Sequence, residues 1–547
     1  NGRWRYAICP AGRAPDGWDG EIVVPFSPES LLSGVGRQVG PEDELWYHRT
    51  FALPEGFRRQ SSDRVLLHFG AVDQECRVFV NGELAGEHRG GYLPFTLDIT
   101  DILAEGENTL TAAVTDRTSK GPHAYGKQSF TPGGIWYTPQ SGIWQTVWLE
   151  AVPENYIKSL RFTPLYDEKR VRLQIEADRA EGANIVVRKA GEVIAEEWAD
   201  EKGEAAVLIQ AEHFRPWSPD DPFLYDVTVT LGEDRVESYF ALRKISITER
   251  QGQKVLALND RPIFLSGVLD QGYWPDGLYT APSDEALAYD IQAMKDLGFN
   301  LLRKHIKIEP LRWYYHCDRL GILVWQDLVS GGSHMNPLVI QVLPFLGVHL
   351  RDWRHQLFGR GDEAGRDQFV QDLYDTVALL YNTPSLAAWV PFNEGWGQFD
   401  SLQITQLLWE EDGTRLVDHA SGWHDQGGGD FKSRHVYFHK VRLRPDGRRV
   451  LALTEFGGYS LPLPGHTASD REFGYRMYRG AEELTAAWRR LYEGEVIPNM
   501  ERRGLSAAVY TQLSDVEEEV NGLLTYDRKV CKVDPAVVRE INRRLRF

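Results

Sequence analysis

Apolar and polar positions alternate with a period of two through the first part of the chain. Runs such as Arg64-Val-Leu-Leu-His-Phe69, Cys76-Arg-Val-Phe-Val80 and Thr109-Leu-Thr-Ala-Ala-Val114 are separated by turn residues, Asn81-Gly82 among them. That pattern predicts short antiparallel strands joined by tight turns, a sandwich or jelly roll over residues 1–152. The same period continues in Val171-Arg-Leu-Gln-Ile-Glu-Ala177 and Tyr225-Asp-Val-Thr-Val-Thr-Leu231. Residues 153–247 have the length of an immunoglobulin-like β-sandwich.

From residue 248 the period changes. Ser283 is placed to cap a helix whose apolar face is Leu287, Ile291, Met294 and Leu297, with Gly298 ending it. Phe299–Arg303 then reads as a strand, followed by a helix at 309–320 and the apolar run Gly321–Trp325. The alternation recurs, with helices at 367–381, 401–411, 473–492 and 534–546. The strands between them fall at 386–392, 415–419, 434–438, 449–454 and 506–511. With Arg261–Leu265 as the first, this makes eight strands over 248–547, the arithmetic of a (β/α)8 TIM barrel. A doubly wound open sheet is the competing arrangement.

Composition narrows the function classes. The 547 residues are 42% hydrophobic and 26% charged, with a net charge of −18. An acidic chain of this kind is a poor partner for nucleic acid or an anionic membrane. Its four cysteines form no CxxC pair and no disulfide framework. Asn1-Gly-Arg-Trp-Arg-Tyr6 begins no apolar leader, and no run is long enough to span a bilayer. A cytoplasmic protein is expected, the absent initiator Met leaving a removed signal peptide open. There are 17 Trp against 4 Met, which suits either large cores or stacking faces for sugar rings.

In a barrel, acidic residues just beyond apolar strands are the ones to weigh. Leu386-Ala-Ala-Trp-Val-Pro-Phe392 runs into Asn393-Glu394-Gly395-Trp396-Gly397, and Val450-Leu-Ala-Leu-Thr454 into Glu455-Phe456-Gly457-Gly458. Two carboxylates facing one sugar can hydrolyse a glycoside, one protonating the leaving oxygen while the other attacks or activates water. Each alone would more simply end a strand in solvent. No HExxH, P-loop or GxSxG is present, so no cofactor is called for. His424, Asp425, Asp430 and His435 around Gly427–Gly429 invite a metal reading, but a polar loop at the barrel mouth accounts for them better, and no metal is expected.

These motifs resemble glycoside hydrolase family 2, which includes β-galactosidases, β-glucuronidases and β-mannosidases. Asn393-Glu394 resembles its strand-four acid/base pair and Thr454-Glu455-Phe456-Gly457 its strand-seven nucleophile segment. Val80-Asn81-Gly82, His88–Phe95 and Ser141-Gly142-Ile143-Trp144 resemble its sugar-binding jelly roll. The resemblance implies a retaining exo-β-glycosidase, with Glu455 as nucleophile and Glu394 as acid/base. It further implies Asn393 on the sugar 2-hydroxyl, Tyr437 on the nucleophile, and Arg303 as a buried arginine holding a carboxylate. His435, Trp396, Asp270 and Gln512 are the remaining substrate-binding candidates. For each of these the alternative is ordinary packing or a solvated loop.

A β-glucuronidase of this family should carry Asn-x-Lys after strand eight, where this chain has Glu518-Glu519-Val520-Asn521-Gly522. Charge makes that loop a poor carboxylate clamp, so a β-galactosidase-like enzyme on a neutral sugar is the default. β-Glucosidase, α-L-arabinopyranosidase and β-glucuronidase remain alternatives, as does a non-catalytic carbohydrate-binding protein on the same scaffold. The expected partner is a carbohydrate. Relatives in this family are often dimers or tetramers, which makes a homo-oligomer an expectation that no motif here marks.

Overall fold

A computed structural model of the chain describes residues 1–58, 60, 62–333 and 335–547. It divides into two units. One comprises Asn1–Thr118, Gln140–Arg243 and Tyr381–Pro384; the other comprises Ser119–Pro139, Lys244–Leu380 and Ser385–Phe547.

The first unit is all β. Its N-terminal jelly roll has a six-stranded sheet centred on Asp43–Ala52 and Glu107–Thr115, and a three-stranded sheet of Val147–Val152, Arg64–Phe69 and Phe95–Asp98. Alternation puts Leu45, Tyr47, Val65, Leu67, Phe69, Val78 and Val114 into one core. Asn81 and Gly82 take φ values of 52° and 83°, the left-handed conformations that a two-residue hairpin between Glu75–Val80 and Glu83–Arg89 requires. In the second sandwich, Val171, Leu173 and Ile175 point inward between exposed or half-buried neighbours. Their strand pairs with Ser159–Leu165 and Glu204–Leu208, while Asn184–Lys189 and Tyr225–Leu231 lie side by side in the four-stranded sheet of the same core.

The second unit contains the barrel. Its strands are, in chain order, Leu265–Asp270, Leu301–Lys304, Leu323–Asp327, Leu386–Val390, Leu416–Val417, Phe431–Val436, Val450–Gly457 and Leu505–Thr511. They pair in parallel in the order five, four, three, two, one, eight, seven, six, the ring being open only between five and six. Strands one to four, seven and eight are buried along their whole length. That is why strands four, seven and eight read as nearly continuous apolar runs and not as alternation.

Two expectations need correction. Arg261–Leu265 is not the first barrel strand. Asn259 and Asp260, at φ 53° and 64°, turn the chain so that Arg261–Pro262 pairs back onto Ala257–Leu258 in a small antiparallel sheet. Pro262 lacks the N–H that a central strand needs, and the first barrel strand starts at Leu265. Ile245, Leu256 and Ala257 of that small sheet line a small apolar cavity with Leu323, Trp325, Ala387 and Phe431 of the barrel. The helix expected over 473–492 is confined to Ala481–Leu491, after a two-residue strand at Arg476–Met477. Ser283 does cap its helix, its hydroxyl accepting from the Ala286 amide at 3.2 Å. Among the described residues, no helix is long and apolar enough to cross a membrane.

Candidate active site

The C-terminal strand ends bring together side chains that are far apart in sequence. Glu394, four residues past strand four, sits at φ 52°, a conformation that a non-glycine residue holds only when its surroundings enforce it. Glu455 lies within strand seven. One carboxylate oxygen from each, together with His435 Nδ1 or Nε2, form a group whose atoms all lie within 4.8 Å of one another. Retaining glycosidases hold their two carboxyl groups about 5–5.5 Å apart, and inverting ones about 6.5–9.5 Å apart to admit water.

Hydrogen-bond geometry and burial together favour a proton on Glu394. Thr454 Oγ1 donates to the Arg434 carbonyl at 3.5 Å, and Ser421 Oγ donates to Thr454 Oγ1 at 3.0 Å. His435 Nε2–H therefore donates to Ser421 Oγ, 3.2 Å away. Its Nδ1 is then a lone pair, 2.8 Å from Glu394 Oε1, and the hydrogen between them belongs to Glu394. The titration preferences agree. Burial pushes Glu394 up to about 7, against the opposing pull of Lys127 and Arg303, and burial pushes His435 down to about 4. Tyr437 Oη donates to Glu455 Oε2 at 2.5 Å, and Tyr475 stacks flat on the Tyr437 ring at 4.1 Å between centroids.

Arg303, fully buried, ties four strand ends together. It grips Asp327 with two parallel bonds of 2.9 Å, donates to Glu455 Oε1 and the Thr454 carbonyl at 3.2 Å, and donates to Asn393 Oδ1 at 3.0 Å. With its oxygen held, Asn393 keeps its Nδ2, which has no well-formed partner among the described residues.

A second directional chain ends on Glu519, which can only accept. Asn521 Nδ2 donates to Glu519, Gln512 to Asn521, and Gln271 to Gln512, each at 2.8 Å. His305 Nδ1–H donates to Gln271 Oε1 at 2.8 Å, leaving Nε2 a lone pair 3.6 Å from Glu455 Oε1. Burial, then Lys127 and Arg303, hold His305 well below the usual imidazole range.

The sequence-expected residues thus divide. Glu394, Glu455, Asn393, Tyr437, His435 and Arg303 converge. Gln512 lies next to them, but both ends of its amide are committed within the chain just described. Asp270 faces elsewhere: it accepts from Lys304 Nζ at 2.6 Å and the Gly272 amide at 2.9 Å. Trp396 is buried, packed 5.2 Å from Trp136 and against Phe358 and Val339. His424, Asp425 and Asp430 do not gather round a cation. His424 bonds the Leu350 amide and the Val339 carbonyl, Asp425 pairs with Arg449, and Asp430 accepts from Trp409 Nε1 and the Val417 amide.

Sequence reasoning missed Asp327, which ends strand three just as Glu455 sits in strand seven and was findable by the same rule. It also missed Lys127, Tyr137 and Tyr475, for which only topology gives a signal. Glu394, His435 and Glu455 are, among the described residues, the one group with metal-ligand spacing. An ion there would bind both glutamates.

Known proteins align with this architecture. The model for the glycosyl hydrolases family 2 sugar binding domain matches residues 37–153, that named simply glycosyl hydrolases family 2 matches 155–243, and that for the family's TIM barrel domain matches 250–439. A β-galactosidase of Thermoanaerobacter pseudethanolicus is 29% identical over 308 residues, 53% of this chain and 40% of that protein. A β-galactosidase of Lactococcus lactis is 28% identical over 378 residues, 65% of this chain and 35% of its own length. The chain therefore spans two fifths or less of these curated relatives. A β-glucuronidase from an uncultured Clostridium superposes with a TM-score of 0.78 at 18% identity, covering 99% of this chain and 97% of that one. With three successive models of one family matched in order along a jelly roll, a β-sandwich and a parallel barrel, the chain belongs to glycosyl hydrolase family 2.

Proposed function

We propose that the protein is a retaining exo-β-glycosidase. The observation that carries this reading is the pairing of Glu394 with Glu455, one carboxylate oxygen of each within 4.8 Å of the other. Glu455 attacks the anomeric carbon. The bond from that carbon to the leaving oxygen breaks as Glu394 gives that oxygen its proton. The Glu394 carboxylate then takes a proton from water, whose oxygen bonds to the anomeric carbon and releases Glu455. The lone pair of His435 facing Glu394 serves both halves: it disfavours the charged form before the first step and leaves a stronger base for the second. Arg303 and Tyr437 hold Glu455 by its two oxygens, and Asn393 Nδ2 is positioned for the sugar 2-hydroxyl.

Hydrolysis of aryl β-glycosides by wild type and by Glu455→Gln tests the assignment. The substitution should lower kcat roughly 10⁴-fold or more, and proton NMR should show the β-anomer as the first-formed sugar. Near-full activity in Glu455→Gln removes the nucleophile assignment, and an α-anomer removes retention. Similar proteins carry the names β-galactosidase and β-glucuronidase. Those sugars differ in the configuration at C4 and in whether C5 bears a hydroxymethyl group or a carboxylate, and the charges around the pocket bear directly on the second difference.

A further inference from the structure

Lys127 takes no part in the chemistry above, yet it is buried beside it. It lies on Ser119–Pro139, the stretch folded within the barrel unit, and is only 5% exposed. Its Nζ stands 5.0 Å from the centre of the Tyr137 ring and 5.6 Å from that of Trp396. Among the described residues, no carboxylate, carbonyl or hydroxyl accepts a hydrogen bond from it. Ring faces attract a cation but do not replace the acceptors that three N–H groups need. Its three N–H groups are therefore available to an acceptor that arrives with a ligand.

The nearby carboxylates are engaged elsewhere. Both oxygens of Glu517 accept from the Thr138 amide at 3.0 Å, and Glu518 accepts from the Gly134 amide at 3.0 Å. Glu519 accepts from Tyr137 Oη and from Asn521 Nδ2. The acidic loop after strand eight, which as bare sequence looks hostile to a uronic acid, is thus the clasp that holds Ser119–Pro139. On the other side of that stretch, the Ser330 carbonyl accepts from the amides of Tyr125 and Gly126 at 3.0 and 2.9 Å. Two separate anchors therefore fix Lys127 next to Trp396, two residues past Glu394. Of the charged groups acting on Glu394, Lys127 acts most strongly, in keeping with its place beside Trp396.

We propose that Lys127 receives a carboxylate on the sugar held between Glu394 and Glu455, so that the enzyme acts on β-linked uronic acids in preference to the matching neutral hexosides. This rests on the glycosidase reading above and names its substrate class. A hydrogen bond to a charged partner is worth about 1.5–3 kcal/mol, roughly a 10- to 100-fold discrimination.

The test compares wild type, Lys127→Met and Lys127→Arg. Substrates are 4-nitrophenyl β-D-glucuronide and β-D-galacturonide against the glucoside and galactoside at pH 6. Calorimetry with free glucuronate, galacturonate, glucose and galactose runs in parallel. Wild type should favour one uronide over its neutral counterpart by about 100-fold in kcat/KM. Lys127→Met should cut that ratio at least about tenfold, mainly through KM, and Lys127→Arg should restore part of it. Neutral preference in wild type, or equal loss on both substrate types in Lys127→Met, overturns the proposal while the glycosidase reading stands. Lys127-dependent binding of a uronate without turnover of any glycoside upholds the clamp and removes the glycosidase reading. Failure to bind either uronate more tightly than its neutral counterpart, with no turnover, removes both.

Discussion

A glycosidic oxygen leaves only if Glu394 still holds its proton, and burial supplies that condition at neutral pH by raising the carboxyl to about 7. The consequence is directional. The kcat/KM profile should have an alkaline limb centred near pH 7, falling about tenfold per unit above it. Because Lys127 pulls the Glu394 value down, Lys127→Met should move that limb to higher pH, which stopped-flow or initial-rate profiles would show. The same shift links to stability. Between the ordinary carboxyl value of 4.5 and about 7, the folded chain holds a proton that the unfolded chain has lost, so stability falls as pH rises through that window. Glu394→Gln removes this dependence. It should be near-neutral at pH 4.5 and stabilising at pH 8, by at most about 3 kcal/mol. Urea denaturation of both forms at both pH values checks this, and a difference independent of pH would show that burial of the charge is not the cause. At this scale the sequence was informative wherever chemistry sat directly past an apolar strand, as with Glu394 and Glu455. It was silent on Lys127, whose relevance depends on which stretch of chain is folded beside which.

Strand ends need a common fastener, and Arg303, on strand two, provides it with five hydrogen bonds to strand three, the loop after strand four, and strand seven. Removing its charge leaves Asp327 and Glu455 buried together without a cation. Arg303→Met should therefore destabilise the protein by about 3–5 kcal/mol, the scale for breaking a buried ion pair from one side. Arg303→Lys should recover much of the fold but not the activity, because an ammonium cannot make the two parallel bonds to Asp327 while also reaching Asn393 and Glu455. Thermal melting and kcat, measured together, separate these outcomes; full activity in Arg303→Lys would show that charge alone suffices. Element positions were legible where period and caps agreed, as with the Ser283 helix. They were misread at Arg261–Leu265, where an apolar run conceals a hairpin set by two left-handed residues, and over 473–492, where helical-looking sequence is split. The paired anchors on Ser119–Pro139 were invisible, since backbone amides binding Glu517 and Glu518 leave no trace in composition.

The boundary between the two units does not follow the chain. Thr118 and Gln140 belong to the first unit, and everything between them to the second. The sequence therefore reads Ser119–Pro139 as one more loop of the β-domain, and the sugar-binding domain model runs straight through it. The fold makes the opposite claim: three glutamates and Ser330 bind this stretch, and a Cβ added at Gly331 would lie 2.0 Å from the His123 carbonyl oxygen. The two claims predict different behaviour when Ser119–Pro139 is excised. The ends can be rejoined cheaply, because Ser141 Oγ donates to Asp116 Oδ2 at 2.8 Å, so a few glycine and serine residues span the gap. If the stretch were only a loop of the first unit, shortening it should be nearly neutral, since loop length changes closure entropy slowly. If it is part of the barrel, its loss exposes Glu517 and Glu518 without their amide donors, leaves Glu519 with Asn521 alone, and strips Trp396 of the Trp136 ring 5.2 Å away. The melting transition of the second unit should then fall while that of the first is retained, and aryl β-glycoside hydrolysis should drop by about 10²-fold or more, the scale seen when positioning is lost far from the reacting atoms. Gly331→Ala, which disturbs one anchor alone, should move both readouts in the same direction by less. Calorimetric scans with matched initial rates distinguish the cases, and an excised chain that keeps its barrel transition and its turnover would return the stretch to the β-domain.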